Sequence, residues 1–336
     1  MNQSQALDRV VQATEAALAR FPAIWAPGAT LAFSGGKDSI ALASAMAAMG
    51  RKVRLRAVDM GYAKDWKYRI ERLAAALGQP VDILTVADLV HDDLTEPGIR
   101  RDLAVRRAFL DSSDASSSIV TPCTNCYNCK ILSLVDIARH EVPTILFAHH
   151  ATDAVSSFLK SALMHIDRWQ GDNLVFERSR FRELGMRIAL ELRGGSQLQI
   201  DSLTDLLFQG KAHTSEPPVE RRSLQGQSYT IGRPMFFLEE EATTALVGAL
   251  GIPAESSGCG HSLSTSTRTP REIVHYELLP LIAETVAGRQ AIQHLLDILA
   301  AKLNKDGTTQ ADARQSRHVT LGTAYKGGPE TLADRL

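Results

Sequence analysis

The places where this chain of 336 residues could do chemistry are a Ser-Gly-Gly-Lys-Asp-Ser run, a tight cysteine triplet and a pair of adjacent histidines. SGGKDS, Ser34–Ser39, sits between a short apolar stretch and an alanine-rich one. A structural turn needs only one glycine. Two glycines, Gly35 and Gly36, let the backbone come close to a bulky anion. A helix starting just beyond them would add N–H groups and the positive end of its dipole. Ser34, Lys37 and Ser39 supply further donors, with Asp38 beside them. The spacing is neither the Walker A pattern nor the three-glycine dinucleotide fingerprint.

Cys123, Cys126 and Cys129 stand two residues apart from one another in TPCTNCYNCK, and the fourth cysteine, Cys259, is far away in SSGCGHS. A secreted disulfide scaffold would carry more cysteines in a shorter chain. Thiols at this spacing suit a zinc knuckle completed by Cys259 or the ligation of an iron–sulfur cluster. Inert buried thiols are the plain alternative, and the residues alone leave these open. His149, His150 and Asp153 lie in AHHATD, and Asp59 closes another apolar run.

The elements that must position these groups alternate. A helix over 6–22 precedes a strand near 30–33, and a helix from Lys37 closes at Gly50. Strands are expected over 52–60 and 81–89, with a helix over 63–78 between them. Residues 96–110 read as helix, 112–122 as a polar loop, and the chain beyond Cys129 as helix again. Residues 143–165 read as strand, turn, helix. This alternation predicts an α/β fold with a parallel sheet flanked by helices and a helical C-terminal portion. The SGGKDS turn, Asp59 and the His149-His150-Asp153 group each follow a strand, so they converge on the carboxyl edge, where such sheets bind ligands.

The expected organisation is an N-terminal helix (1–27), a nucleotide domain with the cysteine motif (28–165), an insertion or extended connection (166–232), a helical part carrying Cys259 (233–305) and a polar tail (306–336). Within the connection, HTSEPPVERRSLQGQ reads as loop. The arginines of 178–187, interleaved with Phe176 and Phe181, fit either an RNA-stacking face or a solvated helix face. Residues 236–251 form a helix whose acidic first turn suits its dipole.

With 44% hydrophobic and 22% charged residues, the composition is that of an ordinary globular protein, and the net charge of −1 gives no bulk argument for nucleic acid. No apolar run approaches a membrane span, and the acidic amphipathic start is unlike a signal peptide. A cytoplasmic location is the expectation.

SGGKDS resembles the pyrophosphate (PP) loop of the adenosine nucleotide α-hydrolase superfamily, whose members cleave ATP to AMP and pyrophosphate. The order of that loop, Cys123/Cys126, AHHATD, Arg233-Pro234 and Cys259 is similar to the tRNA 2-thiocytidine synthetase group over about residues 28–165 and 231–285. AHHATD has alanine and threonine where that group has glycine and an aspartate, and a single cysteine replaces its second pair.

The resemblance implies a Rossmann-like ATP domain in which Ser34, Gly35, Gly36, Lys37, Asp38, Ser39, Asp59, His149, His150 and Asp153 meet ATP. It implies Mg²⁺ on the phosphates and a [4Fe–4S] cluster on Cys123, Cys126 and Cys259, with Cys129 nearby but not required. The reaction it implies is adenylation of a carbonyl oxygen and its replacement by sulfur, with Lys37 and Asp38 catalytic. The acceptor is a tRNA base, the sulfur donor a cysteine desulfurase or sulfide, and a homodimer stays open. The rival readings are a PP-loop amide or amine ligase with structural zinc, and a nucleotide-binding iron–sulfur redox sensor.

Overall fold

A computed structural model of the chain describes residues 2–59, 65–85, 130–131, 133–135, 138, 141–166, 178–206, 217–224, 227–254 and 270–305. Among them, α1 (Gln3–Arg20) leads into β1 (Thr30–Ala32), α2 (Lys37–Ala48), β2 (Arg54–Asp59), α3 (Trp66–Ala76) and β3 (Val81–Thr85). Next come β4 (Thr144–Leu146), α4 (Ala151–Ile166), α5 (Arg178–Arg193), α6 (Gln197–Leu206) and the strands β5 (Val219–Leu224) and β6 (Gln227–Gly232). The helices α7 (Glu240–Leu250), α8 (Pro270–Ile273), α9 (Leu279–Ala283) and α10 (Val286–Lys305) follow, with a π-helical turn, Val274–Leu278, between α8 and α9.

These elements have local causes. Asn2 caps α1 in a capping box with Gln5. Gly50, Gly78 and Gly251 end α2, α3 and α7 at φ of 67°, 65° and 65°, a conformation that glycine adopts without strain. The π turn adjoins Pro280, which has no N–H for the carbonyl of Tyr276. The ladder widens there, and Leu279 N–H donates to the Val274 carbonyl.

The sheet has six strands in the order β3-β2-β1-β4-β6-β5, all parallel except β5, which runs antiparallel to β6. This is the expected class. Alternate strand residues serve two cores. Leu31, Leu55, Ala57 and Leu146 join the large cluster that includes α1, α2, α4 and α7. Val58, Ile145, Tyr229 and Ile231 pack on the other face with Ile131, Leu134, Val135 and Ala138, which are helical. The helix expected beyond Cys129 is therefore present where it is described.

The segment 166–232 holds more than a connection. HTSEPPVERRSLQGQ, read as loop, contains β5, and β6 pairs directly with β4. The arginines that disguised β5 suit an edge strand: Arg221 is exposed and Arg222 binds Glu220 at 2.6 Å. Of the Arg/Phe interleaving, Phe176 lies outside the described residues, and Arg180 and Arg187 are exposed. Phe181 is fully buried and Arg182 is held bidentately by Glu277 at 2.8 and 2.9 Å, so this face of α5 packs against the π turn. Arg51, Arg54 and Arg56 gather near the opposite, amino edge of the sheet. There Arg51 covers Trp25, Arg54 pairs with Glu141, and buried Arg56 bonds Thr30 and Glu141. The strand expected to reach residue 89 is described only to Thr85, and the readings of 96–110, 112–122 and 306–336 lie outside the described residues.

Gly232 ends β6 against the chain before β1. A Cβ there would collide with the carbonyl oxygen of Ile24 and crowd its carbon at 3.0 Å, so one strand or the other must move. Gly232→Ala should destabilise the fold by about 1–3 kcal/mol, read from chemical denaturation. An unchanged midpoint would contradict this packing.

Candidate active site

In this strand order the connections leave β1 toward β2 but leave β4 toward β6, so the sheet's switch point lies between β1 and β4. Crevices for ligands open outside the carboxyl ends of the strands at such points. SGGKDS leaves β1 there and His149-His150 leaves β4.

The loop is built by its own small residues. Phe33 N–H still donates to the Arg56 carbonyl at 2.7 Å, and the chain then turns through Gly35 at φ 76°, a left-handed conformation. Ser34 Oγ accepts from Gly36 N–H and donates to Ser39 Oγ, both at 3.3 Å, while Ser39 Oγ donates to the Gly36 carbonyl at 2.9 Å. Gly36 is the N-cap of α2 and provides no side-chain cap. The first turn of α2 thus meets the loop with its dipole uncapped by a side chain, which suits an anion.

From Lys37 a chain of alternating charges runs in both directions. Lys37 Nζ lies 2.8 and 3.0 Å from the two Asp38 oxygens and 2.9 Å from Glu240 Oε1. Glu240 Oε2 lies 3.1 Å from His275 Nε2 in the π turn. Thr243 Oγ1, one turn along α7, donates to Asp38 Oδ1 at 2.6 Å. His150, only 1% exposed, places Nε2 3.6 Å from Asp38 and 3.5 Å from Asp153. Its Nδ1 has no hydrogen-bond partner among the described residues. Asp153 also accepts from His150 N–H at 3.1 Å and from Arg271 at 3.0 Å.

The electrostatics follow this geometry. The hydrogen bond from His275 does most to hold the Glu240 carboxyl down at about 2. Burial opposes it and Lys37 assists it. Burial of Lys37 works to lower its pKa, but Asp38 and Glu240 outweigh that and raise it. Both groups are therefore charged at neutral pH.

Among the residues expected at a nucleotide, Ser34–Ser39, His150 and Asp153 come together. His149 is half-buried on the same loop, with its ring 5.5 Å from that of Phe147. Asp59 ends β2 on the same edge, one strand from β1. Cys123, Cys126, Cys129 and Cys259 lie outside the described residues. Among the described residues no group of three His, Cys, Asp or Glu is arranged to hold a metal ion, and no helix is long and apolar enough to cross a membrane.

Sequence reasoning missed Glu240, Thr243, Arg271 and His275. The acidic start of α7 was visible, but only as a favourable dipole contact. Arg271 and His275, four residues apart in a helical stretch, share a face and could have been paired.

No protein-family model matches the sequence, and a search of curated proteins finds no match. Solved structures do match. The U34-tRNA thiolase NcsA from Methanococcus maripaludis, solved with its [4Fe–4S] cluster, aligns over 88% of this chain and 80% of its own, with a TM-score of 0.51 at 13% identity. The two chains share a fold. NMN synthetase from Francisella tularensis aligns over 88% and 94%, at 11% identity, with a TM-score of 0.41. The likeness to the thiolase bears out the expected fold.

A carboxyl held at about 2 in the fold and near its ordinary 4.5 when unfolded adds stability above about pH 5, and this is lost as pH falls toward 2. Glu240→Gln removes that contribution. The gap in denaturation midpoint between wild type and variant should therefore narrow between about pH 5 and pH 2. A gap constant over that window would show that Glu240 is not held this way.

Proposed function

We propose that the protein is an ATP-dependent sulfurtransferase that adenylates a carbonyl oxygen of a tRNA base and replaces that oxygen with sulfur. The observation that carries the reading is SGGKDS at the switch point, where it runs into a helix start without a side-chain cap and where its own Asp38 meets Lys37 and His150. The fold shared with a tRNA thiolase supports the choice of sulfur chemistry and of RNA.

In this reading the β- and γ-phosphates of ATP lie on the loop, where backbone N–H groups and Ser34 and Ser39 can donate to them. Mg²⁺ enters with the phosphates, held by them and by at most one or two carboxylates, as is usual for that ion. Lys37 offsets charge that builds on the pyrophosphate as it leaves. The base oxygen attacks the α-phosphorus, the bond to pyrophosphate breaks, and the oxygen becomes part of a good leaving group. Sulfide then attacks the base carbon, the carbon–oxygen bond breaks, and AMP departs with the original oxygen. Sulfur replaces oxygen at the same oxidation level, so no external oxidant is required. Cys123, Cys126 and Cys259 would hold a [4Fe–4S] cluster, which would supply a binding place for sulfide. The sulfur itself comes from free sulfide, or from a desulfurase persulfide that a dithiol reduces by two electrons to sulfide as the dithiol becomes a disulfide.

Protein purified without oxygen should be brown, with about four irons per chain. Cys123→Ser, Cys126→Ser and Cys259→Ser should each lose the iron, while Cys129→Ser keeps it. Lys37→Ala and Asp38→Ala should stay folded but release no pyrophosphate. Mass spectrometry of tRNA nucleosides from cells lacking the gene should show a missing thiolated base. Colourless, zinc-bearing protein together with an unchanged set of thiolated nucleosides would overturn the assignment in favour of a ligase.

A further inference from the structure

The ammonium of lysine has three N–H donors. In Lys37 the two Asp38 oxygens, at 2.8 and 3.0 Å, lie too close together for separate N–H groups and share one, while a second points to Glu240 Oε1, at 2.9 Å. One is left for a phosphate oxygen. A polyphosphate that draws more than one N–H must therefore replace one of these partners, and the surroundings of the two carboxylates differ in what each can lose. Asp38 adjoins Lys37 in sequence, and it keeps the 2.6 Å hydrogen bond from Thr243 when the lysine leaves. Glu240 comes from a different part of the chain and is held from behind by His275 at 3.1 Å. Its carboxylate fixes where the ammonium can stand.

We propose that Glu240 is a positioning residue for Lys37. It retains the lysine while the N–H shared by the Asp38 oxygens is exchanged to a phosphate oxygen, and it sets the angle at which the cation meets the leaving pyrophosphate. His275 fixes Glu240 in turn, so the π turn of the C-terminal helices is part of the phosphate site. This rests on the ATP reading above.

The role has a signature that a purely structural contact lacks. Lys37 between two carboxylates leaves a local net negative charge, which repels a polyanion. Glu240→Gln removes one negative charge while keeping the shape. Nucleotide affinity should then stay the same or tighten, while turnover falls because the cation is no longer aimed. A displacement of about 1 Å costs roughly a hundredfold in such steps, so a fall in kcat of about ten- to a hundredfold is expected.

The test has two arms, run on the full chain and on Glu240→Gln. In the first arm, Mg·ATP binding is measured by calorimetry and pyrophosphate release by turnover. The expected result is an unchanged or lower Kd with a reduced kcat, and His275→Gln should give a smaller change in the same direction. Wild-type kcat in Glu240→Gln, or weaker nucleotide binding that accompanies a loss of kcat, would overturn the proposal.

The second arm needs no nucleotide. Lys37 is labelled with acetic anhydride at alkaline pH and quantified by mass spectrometry. Freed of one carboxylate, Lys37 should label several-fold faster in Glu240→Gln than in wild type. Equal labelling would overturn the proposal. Faster labelling in the variant, with no pyrophosphate released by wild type, would keep the Lys37–Glu240 pairing and overturn the ATP reading instead.

Discussion

One ammonium held between two carboxylates organises the carboxyl edge of this sheet. Lys37 can meet Glu240 only if α7 starts in one place, and much of the surrounding structure fixes that start. Arg233, fully buried, donates to the Pro217 carbonyl at 2.7 Å and to Glu220 at 3.2 Å. It therefore ties the turn after β6 to the beginning of β5. Ala151 N–H, at the start of α4, donates to the Leu238 carbonyl at 2.9 Å, just ahead of α7. The β5–β6 hairpin is thus the arm that carries Glu240 and Thr243 to the loop after β1.

The two edges of the sheet treat charge differently. Near the amino edge, Arg54 and Arg56 pair with Glu141, and Arg56 also lies 3.4 Å from Asp82, so both arginines have carboxylate partners at the strand starts. At the carboxyl edge, Asp38, Glu240 and Asp153 alternate with Lys37, His275, His150 and Arg271, beside a helix start without a side-chain cap. Such a chain can trade one partner for an incoming anion without leaving a buried charge bare, since each carboxylate has a second donor. That property suits a site that fills and empties with polyphosphate.

The legible parts of the fold were those with local causes. Helices closed by Gly50 and Gly78, the short apolar strands and the Gly-Gly turn all carry their signals within a few residues. Strand β5 does not. VERRSL looks like loop because it is mostly charged: Arg221 is exposed, Arg222 is half-buried against Glu220, and Glu220, its one buried acid, is matched by Arg233. The site divides in the same way. SGGKDS and the histidines were visible because chemistry and spacing coincide in a short run. Thr243 and Asp38 are 205 residues apart, and only the sheet order brings them together. No periodicity in the sequence records that kind of contact.

Which phosphorus of ATP is attacked decides the account most directly. Wild-type protein would be incubated without oxygen with bulk tRNA, a sulfide source and ATP radiolabelled at the α-phosphate. The account predicts that the label leaves as AMP, with an equal amount of pyrophosphate. Label recovered as ADP, with inorganic phosphate released, would place the attack at the γ-phosphorus and contradict it.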